Sequence, residues 1–158
     1  MYRRVLVPLD GSRLAEGILP FILEIAGPLD VEVVLLRVVT PMPPSVIEAS
    51  PHVEIDDVEA RLAEAGAYLA PLARSLGERG VRASTMVRRG EPAREILAGA
   101  REAGADLIAM TTHGRSGLGR LLFGSVAEAV LRHAEVPVFL MKLTQAQVEA
   151  RLARGALG

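Results

Sequence analysis

The sequence predicts an open, doubly wound α/β fold built on one five-stranded parallel sheet, and three observations carry that expectation. Short apolar runs alternate with longer amphipathic stretches along the chain, the signature of repeated βαβ units. Half of the residues are hydrophobic but only 3% are aromatic, so the core must be Val, Leu, Ile and Ala, a palette suited to helices covering both faces of a parallel sheet. At 158 residues the chain makes one domain that buries about 70% of its unfolded surface, enough for a two-faced core.

Arg4 to Leu9 is the first strand. After Gly11, Ser12 is placed to cap a helix whose apolar positions Leu14, Ile18, Ile22 and Ile25 recur at helical spacing. Pro20 is expected to bend that helix and Gly27 to close it. Val31 to Val39 is the second strand. Thr40 to Ile55 holds four prolines and no sustained period, so a long loop is expected. From Asp57, the positions Val58, Leu62, Ala65, Leu69, Leu72 and Leu76 fall on one helix face, and Gly77 and Gly80 end it.

Val81 to Arg88 is the third strand, and Pro92 suits the first turn of the next helix, which buries Ile96, Leu97 and Ala100 and ends at Gly104. Ala105 to Met110 is the fourth strand, and Thr111 to Phe123 reads as a loop. Ser125 followed by Glu128 predicts a capping box for a helix with core positions Val126, Val130, Leu131 and Ala134. Pro137 to Met141 is the fifth strand. The expected domain spans residues 1–143, and residues 144–158 form a polar tail with a helical cap at Thr144 and Gln147 and a thin stripe of Val148 and Leu152.

Right-handed crossovers give the strand order 3-2-1-4-5, and ligands of such sheets sit beyond the carboxyl ends of the strands where the order reverses. The reversal falls between strands 1 and 4, from which Asp10, Gly11 and Ser12 and residues Thr111 to Gly114 emerge. Gly114, Gly117, Gly119 and Gly124 lie in a loop that enters a helix amino terminus, where backbone N–H groups attract phosphate, and Arg115 and Arg120 add positive charge. The same glycines could equally shape a long turn. The loop lacks the Gly-Lys-Ser/Thr of a P-loop and does not follow the first strand as a dinucleotide fingerprint does.

Other classes are disfavoured. Without cysteine there is no disulfide framework, thiolate zinc site or thiol nucleophile. A net charge of -1 lacks the basic excess of a nucleic-acid surface, and few aromatics remain for base stacking. The amino-terminal apolar run stops at Asp10, too short for a secretory signal, and no segment approaches the roughly 20 apolar residues of a membrane span. A cytoplasmic location is therefore expected.

Met110, Thr111, Thr112, His113 and Gly114, then nine residues, then Gly124, Ser125 and Val126 resemble the nucleotide loop of the universal stress protein family. The opening VLVPLDGS, the strand end LLRVV, the segment GEPAREIL and the closing HAEVPVFLMK extend the resemblance over most of the chain. It implies the adenine nucleotide alpha hydrolase-like, Rossmann-like form of the fold. It also implies ATP with its base near Pro8, Leu9 and Val38, its ribose at Asp10, and its phosphates at Gly114, Gly124, Ser125 and Val126. Met110, Thr111, His113 and Arg115 complete the expected site, with Mg or Mn held through the phosphates and no protein metal ligands.

Two side chains read both ways. Asp10 can accept from ribose hydroxyls or cap the following turn, and the Ser125 hydroxyl can cap its helix while its N–H meets phosphate. Relatives that bind ATP commonly carry Gly where this chain has Thr111, whose side chain would crowd the nucleotide. No Ser-His-Asp order, paired carboxylates or metal cluster stands out. The expectation is an ATP-binding regulatory or stress-response module with slow or no hydrolysis, set against a nucleotide-free interaction module and an ATP-using enzyme. The resemblance further implies a homodimer through the carboxyl-terminal strand; protein clients are not legible.

Overall fold

The computed structural model describes residues 1–41, 54–113 and 124–157, with the backbone alone at 54–56, 113 and 155–157. Five parallel strands, β1 (Arg4–Pro8), β2 (Glu32–Val39), β3 (Ala83–Arg89), β4 (Leu107–His113) and β5 (Val138–Leu143), form one sheet in the order β3-β2-β1-β4-β5. That is the expected order, and its reversal places β1 beside β4 through the register Val5 to Leu107 and Leu6 to Ile108.

Alternation along the strands divides the core in two. Val5, Val7, Val33 and Leu35 face α1 (Arg13–Glu16), α2 (Leu19–Leu29), α3 (Glu54–Glu78) and α6 (Gln145–Leu157), which contribute Ala15, Ile22, Leu69 and Val148. Leu6, Val34, Leu36 and Ile108 face α4 (Pro92–Ala103) and α5 (Ser125–His133), which contribute Ile96, Ala100, Ala127 and Val130. Asp106, just before β4, locks the central pair of strands, accepting from the backbone N–H groups of Arg3 at 2.9 Å and Arg4 at 3.1 Å.

The single bent helix expected after Ser12 is two helices. Ser12 caps α1 by accepting from the Ala15 N–H, but the chain turns at Gly17 and Ile18 before α2 begins. Pro20 therefore lies in the first turn of α2, where a missing N–H costs nothing, and starts a helix instead of bending one. Gly27 does not close α2, which runs to Leu29 and stops at Asp30 in the left-handed region at φ 53°. Gly17, at the break, is closed to a side chain: a Cβ there would lie 2.8 Å from Leu143 Cδ1 and 3.4 Å from Val148 Cγ2.

Of the expected long loop, residues 42–53 lie outside the described residues, while Glu54 and Ile55 already belong to α3. Pro92 opens α4 as expected, capped by the Glu91 carboxylate on the N–H groups of Ala93 and Arg94, and Gly104 ends it at φ 61°. The fourth and fifth strands both run past their expected ends, because Thr111, Thr112 and His113 pair with Met141, Lys142 and Leu143. Thr111 and Thr112 are thus ladder residues and not the start of a loop.

At α5 the expected capping box does not form. Gly124 is the N-cap, Ser125 is the first helical residue, and Glu128 instead accepts from Arg132 at 2.7 Å. Leu131, expected in the core, is exposed, and Ala127 is buried in its place. The cap expected for the tail does form: the Gln147 N–H donates to Thr144 Oγ1 at 3.3 Å and the Thr144 N–H to Gln147 Oε1 at 2.9 Å. No described helix is long and apolar enough to cross a membrane.

Candidate functional site

At the topological reversal, the carboxyl ends of β1, β2 and β4 and the amino terminus of α5 enclose a cleft of about 320 Å³, the size range of small-ligand sites. Pro8, Leu9 and Asp10 reach it from β1, and Val38 from β2. Met110 and Thr111 form the β4 side, and Ser125 and Val126 the wall at α5. Eight residues expected from sequence therefore meet in one place. Gly124 stands at the rim as the exposed cap of α5, and His113 is the last residue of β4. Gly114 and Arg115 lie outside the described residues.

The α5 wall presents backbone donors to the cleft. Gly124 sits at φ 76°, a backbone region that side chains with a Cβ rarely adopt, and no described residue lies within 4 Å of where a Cβ would be. It has no side chain with which to cap, and Ser125 lies inside the helix. The N–H groups of Ser125, Val126 and Ala127 consequently have no described backbone acceptor, and they carry the positive end of the helix dipole.

Across the cleft, Asp10 ends the β1 segment. Its Oδ1 accepts from the Ser12 N–H at 2.9 Å and the Ser12 hydroxyl at 2.5 Å, the local turn that was one of its two readings. Both bonds fall on Oδ1, and no described residue hydrogen-bonds Oδ2. Thr111 is half-buried at the cleft, so its side chain occupies part of the β4 wall.

Other residues join the lining. Ser12 was expected both as a cap and among the residues emerging at the reversal, and Arg37, near the end of the second strand, was expected to turn to solvent in preference to reaching the site; both line the cleft. Pro92 and Ile96 enter because the first turns of α4 lie against the same strand ends, an arrangement with no local signal in the sequence. On the α3 side, Tyr68 donates to Glu16 Oε1 at 2.8 Å. Burial, first, and that bond to Glu16, second, hold the Tyr68 phenol well above the ordinary tyrosine range.

Comparison with known proteins places this geometry among relatives. The chain is 34% identical over 143 residues to the universal stress protein MJ0531 of Methanocaldococcus jannaschii, covering 90% of this chain and 83% of that protein. The solved structure of MJ0577, a universal stress protein of the same organism, superposes with a TM-score of 0.74 at 28% identity, covering 92% of this chain and 99% of that one. The fold is also shared, at a TM-score of 0.56 and 22% identity over 88% of this chain and 97% of the other, with an Archaeoglobus fulgidus universal stress protein solved in complex with dAMP. The family model described as "Universal stress protein family" matches residues 1–142, all five strands short of the last residue of β5. Sheet order, cleft position and sequence thus agree, and this chain belongs to the universal stress protein family.

Proposed function

We propose that this protein is an ATP-binding regulatory module of the stress-response type, with slow or no hydrolysis. One observation carries the reading: an uncapped helix amino terminus led by Gly124 faces, across a cleft of about 320 Å³, a carboxylate at the end of the neighbouring central strand. Phosphates suit the first and ribose hydroxyls suit the second. The base then rests on Pro8, Leu9 and Val38, with Met110 and Thr111 along the β4 wall, and the phosphates meet Gly124, Ser125 and Val126. Gly114, Arg115 and His113 complete that proposed set. The binding of dAMP by a protein of the same fold supports an adenine nucleotide.

Slow turnover follows from the side chains available. Asp10 is the one carboxylate among the described cleft residues, and its Oδ1 is held by Ser12, so no described group is placed to activate water at the α5 end. Mg or Mn would be carried by the phosphates, since no three His, Asp or Glu gather among the described residues. Nucleotide-dependent ordering then selects protein clients, in a cytoplasmic homodimer paired through the edge strand β5.

Calorimetry and thermal melts with ATP test the proposal. At free ATP about 100 times its dissociation constant, linkage adds roughly 2.7 kcal/mol of stability. Gly124→Val, which places a branched side chain at the phosphate approach, should abolish the ATP increment while the protein without nucleotide still folds. No heat and no melting shift at millimolar ATP would favour the nucleotide-free interaction module, the reading that the Thr111 side chain in the cleft supports.

A further inference from the structure

Beyond Asp10 the cleft continues into a second one, of about 420 Å³, bounded by β2 and α3. The two share Asp10, Arg37, Val38 and Thr40, so Arg37 stands on the partition between them. Its Nη2 and Cζ lie 3.6 and 3.7 Å from the position a Cβ would take on Gly11, which places the guanidinium against the turn that holds Asp10. Arg61 adds a second guanidinium to the far cleft, and Glu64 a carboxylate.

No described residue pairs with the Arg37 guanidinium, either by hydrogen bond or as an ion pair, in contrast to Arg4, Arg88 and Arg132, which each hold a glutamate. Of the nearby acids, Glu16 accepts from Tyr68 and Asp10 Oδ1 from Ser12, while Glu64 lines the far cleft without forming an ion pair with Arg37. A half-buried guanidinium without a carboxylate, on the wall of a ligand cleft, is complementary to an anion on the ligand. Arg37 lies on β2, two strands from β4 and on the opposite side of β1, so a ligand whose 5′-phosphates sit at α5 turns its ribose side toward this guanidinium.

We infer that Arg37 recognises a second phosphate on the ribose, so that the site prefers an adenine nucleotide phosphorylated at the 2′ or 3′ oxygen as well as the 5′ oxygen. This inference rests on the nucleotide reading above. An acidic residue takes a free ribose hydroxyl and a neighbouring arginine accommodates a ribose phosphate in other doubly wound sheets. Here both groups are present together. The unesterified ribose hydroxyl donates to Asp10, and the phosphate on the other ribose oxygen enters the second cleft, where the Arg37 fork takes it through two N–H groups.

The test is calorimetry of the intact protein with three probes: AMP, adenosine 2′,5′-bisphosphate and adenosine 3′,5′-bisphosphate. All carry one 5′-phosphate, so differences report the ribose substituent and its position. At least one bisphosphate should bind about tenfold or more tightly than AMP. Arg37→Gln should bring that ratio to within about twofold, and Arg37→Lys, which keeps charge but not the fork, should fall between. Equal binding of all three probes by the wild type, or a preference that survives Arg37→Gln, would overturn the inference and leave AMP binding intact as support for the nucleotide reading. If none of the three binds, both readings fall together.

Discussion

The Tyr68 hydroxyl donates to Glu16 Oε1 across 2.8 Å, joining the middle of α3 to the last residue of α1. The helix α1 is only four residues long and begins at the Asp10–Ser12 turn, so this bond braces one wall of the cleft from outside. Because the folded protein holds the phenol proton above its ordinary range, the unfolded chain loses it first as pH rises past about 10. The contribution of Tyr68 to stability is therefore complete below that pH and is lost as pH climbs toward the folded value. Tyr68→Phe should cost about 1 kcal/mol near neutrality and flatten the alkaline decline in urea midpoint. Parallel declines for wild type and Tyr68→Phe would show that the folded protein does not hold the phenol proton more tightly than the unfolded chain does.

The tail should behave as part of the core. Val148 is 2% exposed and packs beside Gly17, and the reciprocal Thr144–Gln147 cap fixes where α6 begins. We expect Val148→Ala to destabilise the protein by about 1–3 kcal/mol, the cost of removing buried methyl groups. A chain ending at Leu143 should lose more, since it uncovers the whole contact. An unchanged urea midpoint for the shortened chain would instead favour a domain of residues 1–143 with residues 144–158 as an appendage.

Strand order and the meeting of Asp10 with the β4 end were legible because they follow from rules that act along the whole chain: periodicity, right-handed crossovers and the place where the order reverses. What was not legible depends on partners distant in sequence. Leu143 and Val148 close the space beside Gly17 where α1 ends, and no local pattern near Pro20 reports them. The continuation of β4 through Thr112 requires β5 alongside it. A capping box at Ser125 was a sound local reading, but the glycine before it takes the cap position, and the helix start is left open toward the cleft. Arg37 shows the same limit: its residue type was visible, but its position between two clefts depends on α3.

Thr111 is the cleft residue whose bulk bears most directly on the proposed nucleotide site. It lies in β4 opposite Met141 and its side chain lines the β4 wall. Thr111→Gly enlarges the cleft but loosens a strand, a cost of about 0.5–1 kcal/mol, so the readout must be the change on adding ATP and not the melting temperature itself. If the side chain crowds the ligand, the glycine variant should bind ATP several-fold more tightly. Thr111→Val separates bulk from hydrogen bonding, because it keeps the shape and removes the hydroxyl. Crowding predicts that Val binds like Thr and Gly binds better. A hydroxyl that donates to the nucleotide predicts the opposite order, with wild type tightest and both variants weaker, and would make Thr111 a binding residue and not an obstruction.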